Sequence, residues 1–370
     1  MNILHINCNY VTSKLHKTMI DHFNDPEIKN TVFVPVSDRH NTTSNLYTDS
    51  LFVINCFNKY DRMFYHYKQK KIINKLKENI GIQNYDLIHA YTVFTDGGIA
   101  YKLKMEFDIP YVVAVRNTDV NTFFKYMPHL RKYGVKILMN AEKIFFLSNS
   151  YKERVRSYIP KDYINYFENK SQIIPNGIDD FWIENIYDKP KTILKNKLNI
   201  CFAGKIDSNK NCNLTIKACD MLRKKGINVK YTIVGDLISK STKKMINQKK
   251  YIQYIPRKCQ NELISIYRKN DIFIMPSKKE SFGLVYAEAM SQGLPVIYTE
   301  NEGFDGQFKE GYIGYSVNPY SYKDVANAIE SVIKNYSYLQ KNTIKSIRKF
   351  TWDNIVQKYE NIYKSIVRKS

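Results

Sequence analysis

The sequence predicts an α/β protein of two domains, each built on a parallel β-sheet. Short β-rich runs alternate with helical patterns along the whole chain, the pattern left by crossover helices joining parallel strands. At 370 residues the chain is long enough for two cores of ordinary size. Near its middle, Pro175-Asn176-Gly177 and the polar, proline-containing stretch 188–197 interrupt the alternation and mark a junction.

Strands are expected at 2–7, 31–36, 51–54, 86–90, 110–115, 143–148 and 172–174 in the first half. A second set follows at 198–203, 230–234, 251–254, 271–275, 294–298 and 314–317. Helices fill most of the gaps, and the junction divides the chain into domains 1–180 and 181–351. Residues 351–367 read as a terminal amphipathic helix with Ile355, Tyr359, Ile362, Tyr363 and Ile366 as its apolar stripe.

Composition narrows the class. Hydrophobic residues make up 44% and charged residues 25%, which is globular rather than disordered. No apolar run is long enough to span a bilayer, and the opening MNILHINCNY lacks the basic head and cleavage site of a secretory signal. The six cysteines form no CxxC pair and several sit in apolar runs, as expected of reduced core thiols in a cytoplasmic protein.

The net charge of +22 favours polyanionic partners. Its densest patch holds Lys59, Arg62, Lys68, Lys70, Lys71, Lys75 and Lys77 against the single acid Asp61, with Phe64, Tyr65 and Tyr67 among them. That mixture suits an anionic membrane surface, although a solvated surface helix is the plainer account of it. Nucleic acid is not an expected partner, because no DNA- or RNA-binding motif accompanies the charge.

The most informative segment is 276–295, PSKKESFGLVYAEAMSQGLP. Apolar runs on either side, 271–276 and 294–298, read as buried strands, so the segment is the loop and helix of a βαβ unit. Ligands bind beyond the carboxyl ends of such strands. Here the loop carries Glu280, the helix start offers the N–H groups of Phe282, Gly283 and Leu284, and Glu288 lies one turn into the helix. A phosphate fits the helix start, and the two carboxylates accept hydroxyl groups on either side of it. A phosphate flanked by two polyols is the outline of a nucleotide-sugar. Solvated surface charge is the plainer account of two glutamates. A second loop, CFAGKIDSNKN at 201–211, adds Gly204, Lys205 and Lys210 before another helix, a clamp for a diphosphate.

The signature string resembles the Glu-x7-Glu motif of the retaining glycosyltransferases of family 4, of the type found in bacterial surface-polysaccharide synthesis. Pro276-Ser277, Glu280, Phe282-Gly283, Glu288-Ala289-Met290, Gly293 and Pro295-Val296-Ile297 carry the match. The 201–211 loop is similar to that family's Gly-Arg-x4-Lys-Gly element, with Lys205 in place of arginine and Asn211 in place of the second glycine. IPNGID at 174–179, YTIVGD ending in Gly235-Asp236, and NELISIYRKNDIF from Asn261 extend the resemblance over nearly all of the second half.

The first half matches less specifically. DLIHAYTVFTDGGIA from Asp86 resembles the family's Asp-Leu-Ile-His-Ala strand, with His89 read as a structural strand-end residue. YVVAVRNTD from Tyr111 aligns with a strand usually ending Val-His-Gly-x-Asp. Asp119 matches, while Arg116 and Asn117 replace histidine and glycine. Lys14 and His16, on the first loop, are further candidates for the acceptor side.

The resemblance implies a GT-B fold, two Rossmann-like domains with parallel sheets facing across a cleft whose closure completes the site, and a terminal helix, 352–370, crossing back onto the first domain. It implies a hexosyltransferase that uses a nucleotide-sugar, with a UDP- or GDP-sugar as donor. No cofactor is expected, and no metal. Glu280, Lys205 and Lys210 would carry catalysis. Gly204, Gly235, Ser281, Phe282, Gly283, Leu284 and Glu288 would bind the donor, with Glu288 on the ribose and the base near 254–257. The acceptor would be a growing glycan or a polyprenyl-linked glycan, handled in the cytoplasm or at the inner face of the cell membrane. A non-catalytic nucleotide-sugar-binding GT-B subunit and a nucleotide-sugar epimerase are the alternatives.

Overall fold

The computed structural model describes residues 1–38, 46–47, 50–191, 193 and 197–368, and its contacts separate into two units. The first comprises Met1–Leu147, Tyr151–Pro175 and Trp352–Ser370; the second comprises Ser148–Ser150 and Asn176–Thr351.

Among the described residues the first unit has eight strands: β1 (Asn2–Ile6), β2 (Lys29–Ser37), β3 (Leu46–Tyr47), β4 (Leu51–Phe57), β5 (Leu87–Ala90), β6 (Tyr111–Ala114), β7 (Lys143–Phe146) and β8 (Ser171–Ile173). Their order is β3-β4-β2-β1-β5-β6-β7-β8, with every neighbouring pair parallel except β3 and β4. The β3 ribbon is the one strand here with no counterpart in the sequence expectation, because two residues are too few to show a period.

One face of this sheet packs on the helices Tyr65–Asn79, Gly98–Phe107 and Pro128–Asn140 through Ile72, Leu76, Ile99, Leu103 and Ile137. The other face takes the Trp352–Val367 helix, whose Trp352, Ile355, Tyr359 and Tyr363 join Ile3, Leu87, Val112 and Phe145 in one cluster. The 3.6-residue spacing of these side chains makes a single apolar stripe. Tyr363 also reaches His89, its hydroxyl 2.5 Å from Nδ1.

Among the described residues the second unit has six parallel strands, β9 (Lys197–Ala203), β10 (Asn228–Val234), β11 (Ile252–Ile255), β12 (Ile272–Ile274), β13 (Val296–Thr299) and β14 (Gly314–Val317). Their order is β11-β10-β9-β12-β13-β14. The chain runs outward from β9 through β10 to β11, then returns to lay β12 on the other side of β9. This reversal leaves a crevice beyond the carboxyl ends of β9 and β12, the place where open parallel sheets bind ligands.

Cys56, Cys201, Cys212 and Cys219 are buried and all six cysteines are free thiols. Among the described residues no helix is long and apolar enough to cross a membrane.

Candidate functional site

The loops after β9 and β12 meet at that crevice and are tied together by asparagines. The Asn209 side chain accepts the N–H of Lys279 at 3.1 Å and donates to its carbonyl at 3.0 Å, while the Lys278 N–H bonds the Asn209 carbonyl at 2.8 Å. Asn211 donates through Nδ2 to the carbonyls of Pro276 (3.1 Å) and Pro319 (2.7 Å). It sits at φ 60°, ψ 34° directly before the Cys212–Lys224 helix. That left-handed conformation favours glycine, and asparagine tolerates it better than most residues. Replacing glycine here therefore retains the backbone shape and adds two hydrogen bonds.

These ties bring two of the predicted catalytic residues into contact. Lys210 Nζ lies 2.5 Å from Glu280 Oε2, with both side chains largely buried. Behind them, the Glu280 N–H donates to Glu302 Oε2 at 2.7 Å and its carbonyl accepts the Gly303 N–H at 2.8 Å. Glu302 is itself buried. It escaped sequence reasoning because it lies beyond β13, with nothing around it to mark it.

The helix that follows, Leu284–Ser291, starts from Gly283 at φ 80°. A Cβ at Gly283 would fall 2.5 Å from the Tyr286 ring, so both conformation and space demand glycine. The Phe282 side chain is buried against Phe304 and Phe350, which leaves only its backbone for a ligand. The N–H groups of Phe282, Gly283 and Leu284 have no backbone partner among the described residues, as an anion site at a helix start needs.

A cavity of about 590 Å³ opens beside this helix. Gly204, Lys205, Gly235 and Asp236 form one wall, Arg257 and Lys258 another, and Leu263 and Val285 supply apolar surface. Lys205 is exposed and has no carboxylate partner among the described residues. Gly235 is constrained by the neighbouring backbone: at φ 139° a Cβ there would lie 1.8 Å from the Gly204 carbonyl oxygen. The Tyr254 hydroxyl donates to the Gly235 carbonyl at 3.2 Å.

Glu288 lies three residues after Val285, on the same face of the helix. Burial, and secondarily the Asp179 carboxylate, push its carboxyl from 4.5 up to about 7. Asp179 belongs to the IPNGID segment and accepts the N–H of Phe181. Ser281 follows Glu280 on the loop, and Leu284 opens the helix.

The remaining candidates belong to the first unit. Arg116 follows β6, and its charge acts on His16, His89, Tyr91 and Tyr359; burial is the main cause that lowers both imidazoles, and the Arg116 guanidinium adds to it. His16 is buried, its Nδ1 3.1 Å from Asn7 Oδ1, and burial, then Arg116, lower it to about 3. Asp119 is buried too. It accepts the N–H groups of Arg116 (2.9 Å) and Phe94 (3.2 Å), and burial raises it to about 6. Its observed work is thus to hold the loops after β5 and β6. Asp96, unmarked in the sequence, does the same for the first loop, accepting the Cys8 N–H at 3.2 Å and the Thr92 hydroxyl at 3.0 Å, and burial raises it to about 7. Lys14 and Asn117 are exposed, and Asn117 Oδ1 accepts the Tyr151 hydroxyl at 3.2 Å.

Residues 184–350 match the family Glycosyl transferases group 1. An uncharacterised glycosyltransferase of Methanocaldococcus jannaschii is 26% identical over 314 residues, covering 80% of this chain and 79% of that one. The capsular polysaccharide biosynthesis glycosyltransferase CapM of Staphylococcus aureus is 27% identical over 264 residues, 65% of this chain and 67% of CapM. Among solved structures, a sucrose-phosphate synthase from Thermosynechococcus elongatus superposes over 100% of both chains with a TM-score of 0.73 at 16% identity. The chain therefore has the two-domain, parallel-sheet fold of the GT-B glycosyltransferases, and its residues 184–350 carry a Glycosyl transferases group 1 domain.

Proposed function

We propose that the protein is a retaining, metal-independent glycosyltransferase that moves a hexose from a UDP- or GDP-sugar to a growing glycan or lipid-linked glycan in surface-polysaccharide synthesis. The observation that carries this is the Lys210–Glu280 pair at the sheet's switch point, next to a helix start whose N–H groups have no backbone partner among the described residues. The base would enter the slot between Gly235 and Arg257, against Val285 and Leu263, and the ribose diol would bond Glu288. The diphosphate would lie across the helix start between Lys205 and Lys210. On its arrival Lys210 exchanges part of its contact with Glu280 for phosphate oxygens, and the Glu280 carboxylate becomes available to the sugar hydroxyls.

In the transfer step the bond from the anomeric carbon to the phosphate oxygen breaks, and a bond to the acceptor oxygen forms on the same face. The acceptor proton passes to the departing phosphate. The two lysines and the helix start stabilise the charge that develops there, a preorganised contribution that each donor group supplies in part. Involvement in polysaccharide synthesis is supported by the likeness to CapM.

The test is a panel of UDP- and GDP-sugars, read by thermal stabilisation, donor hydrolysis and the anomeric configuration of the product, with and without a chelator. Turnover of one donor with retained configuration, insensitive to chelator, is expected. Binding without turnover indicates a non-catalytic subunit, and an isomerised donor an epimerase; either result replaces this proposal.

A further inference from the structure

The stretch from the end of β4 into the first turn of the Tyr65–Asn79 helix turns large apolar side chains outward. Met63 is 78% exposed, Phe64 65%, Tyr60 64% and Tyr67 54%. Four such residues within eight positions form a patch of the kind that soluble surfaces seldom carry without a partner. The backbone beneath them is firmly tied. Asn58 Oδ1 accepts the N–H groups of Tyr60 (2.9 Å) and Asp61 (3.1 Å), and the buried Asp61 accepts the Asn58 N–H at 2.8 Å. Lys71 then holds Asp61 at 2.9 Å. The apolar side chains are thus presented by an ordered turn whose polar groups are satisfied inward.

The charges on the same segment are complementary to an anionic surface. Asp61 is consumed by Lys71, so Lys59, Arg62, Lys68 and Lys70 have no carboxylate contact among the described residues. Arg62 and Lys68 converge over the Phe57 ring, at 5.9 and 4.4 Å from its centroid. They border a cavity of about 220 Å³ with Ser37, Cys8 and Asn9 at the carboxyl ends of β1 and β2, and Arg62 donates to the Ser37 hydroxyl at 3.4 Å. Lys68 is partly buried, and the buried Asp96 acts on it through space without an ion pair.

We infer that this face docks on an anionic phospholipid bilayer, with Tyr60, Met63, Phe64 and Tyr67 entering the interface and Arg62 and Lys68 taking a headgroup phosphate between them. Aromatic and aliphatic side chains flanked by lysines and arginines match the interfacial zone, where area burial and attraction to anionic lipid add. The same arrangement brings a lipid-borne phosphate to the loop after β1. The inference is independent of the donor assignment, since none of these residues lies in the second unit.

Co-sedimentation with phosphatidylglycerol–phosphatidylcholine vesicles, and with phosphatidylcholine alone, tests it in the full-length protein. Wild type is expected to bind the anionic vesicles in a salt-sensitive manner and phosphatidylcholine weakly. R62Q/K68Q should bind about thirtyfold more weakly, and M63S/F64S should lose the part of binding that survives high salt. Binding of the nucleoside diphosphate by both variants should equal wild type, which separates a lost membrane face from a lost fold or donor site. Wild type remaining unbound at low salt, or both variants binding as wild type, overturns the proposal. So does competition by inorganic phosphate in protein that ignores vesicles, which makes the pocket a free-phosphate site, or equal binding to both lipids.

Discussion

Lys210 Nζ and Glu280 Oε2 meet at 2.5 Å although 70 residues separate them in the chain. The contact exists because β9 and β12 are neighbours in the sheet and Asn209 binds their two loops together. Each partner conditions the other: without Glu280 the lysine loses its anchor, and without Lys210 a largely buried carboxylate stands alone.

Glu280→Ala and Lys210→Ala should each lower the transfer rate by about 10²–10³-fold. The double variant should fall short of the product of the two losses, because the residues act as a unit. Steady-state rates for the three variants check this, and full additivity would show that the pair does not function together.

Lys205→Arg should retain most activity, since a guanidinium also meets a diphosphate and offers two donors. Lys205→Ala should lose about tenfold or more in kcat/KM. Equal rates for Lys205→Ala and wild type would remove Lys205 from the site.

The Gly235 and Gly204 positions should separate sharply. Gly235→Ala places a Cβ 1.8 Å from a carbonyl oxygen and should cost at least about 3 kcal/mol. For Gly204→Ala the nearest atom is 3.5 Å away, so only the backbone conformation opposes it, at about 1–2 kcal/mol. Urea unfolding measures both.

Asn211 should rank above its replacements. Asn211→Gly loses two hydrogen bonds but relieves the left-handed backbone, whereas Asn211→Ala loses the bonds and adds strain. Stability should follow Asn, Gly, Ala, with about 1 kcal/mol between the last two. Thermal melts that place Ala above Gly would contradict the strain argument.

Glu288 makes stability and affinity depend on pH in opposite directions. Its folded value, about 7, stands above the ordinary 4.5, so the folded state holds the proton longer than the unfolded chain. Below about 4.5 both states are protonated and nothing is lost. Between 4.5 and 7 the unfolded chain ionises first and stability falls by about 2–3 kcal/mol, then levels off. Glu288→Gln should remove this share of the slope. Nucleotide affinity should rise through pH 7, because the ribose diol donates to the ionised carboxylate; a flat titration in wild type would exclude that contact.

Much of the fold was legible because its determinants are local. Apolar runs of β type stand where strands form in both sheets, and Gly283 with Gly293 frames the Leu284–Ser291 helix. The short β3 was not, since a two-residue ribbon is defined by its pairing with β4. At the candidate site the residue types of Lys205, Lys210, Glu280 and Glu288 were readable from their motifs. Asn209 and Glu302 were not, because their importance lies in what they bind. For His16 and Asp119 the sequence offered polar groups for an acceptor, and the structure buries both against neighbouring loops.

By itself, then, the sequence determined the alternation of strands and helices, the order of the motifs and the chemistry each loop carries. These depend on runs of neighbouring residues. The tertiary structure decided that Lys210 pairs with Glu280, that Gly235 presses on Gly204, and that Met63 and Phe64 are held out in solvent. Those relationships follow from strand order and from which backbones pass within contact, and no local window of the chain contains that information.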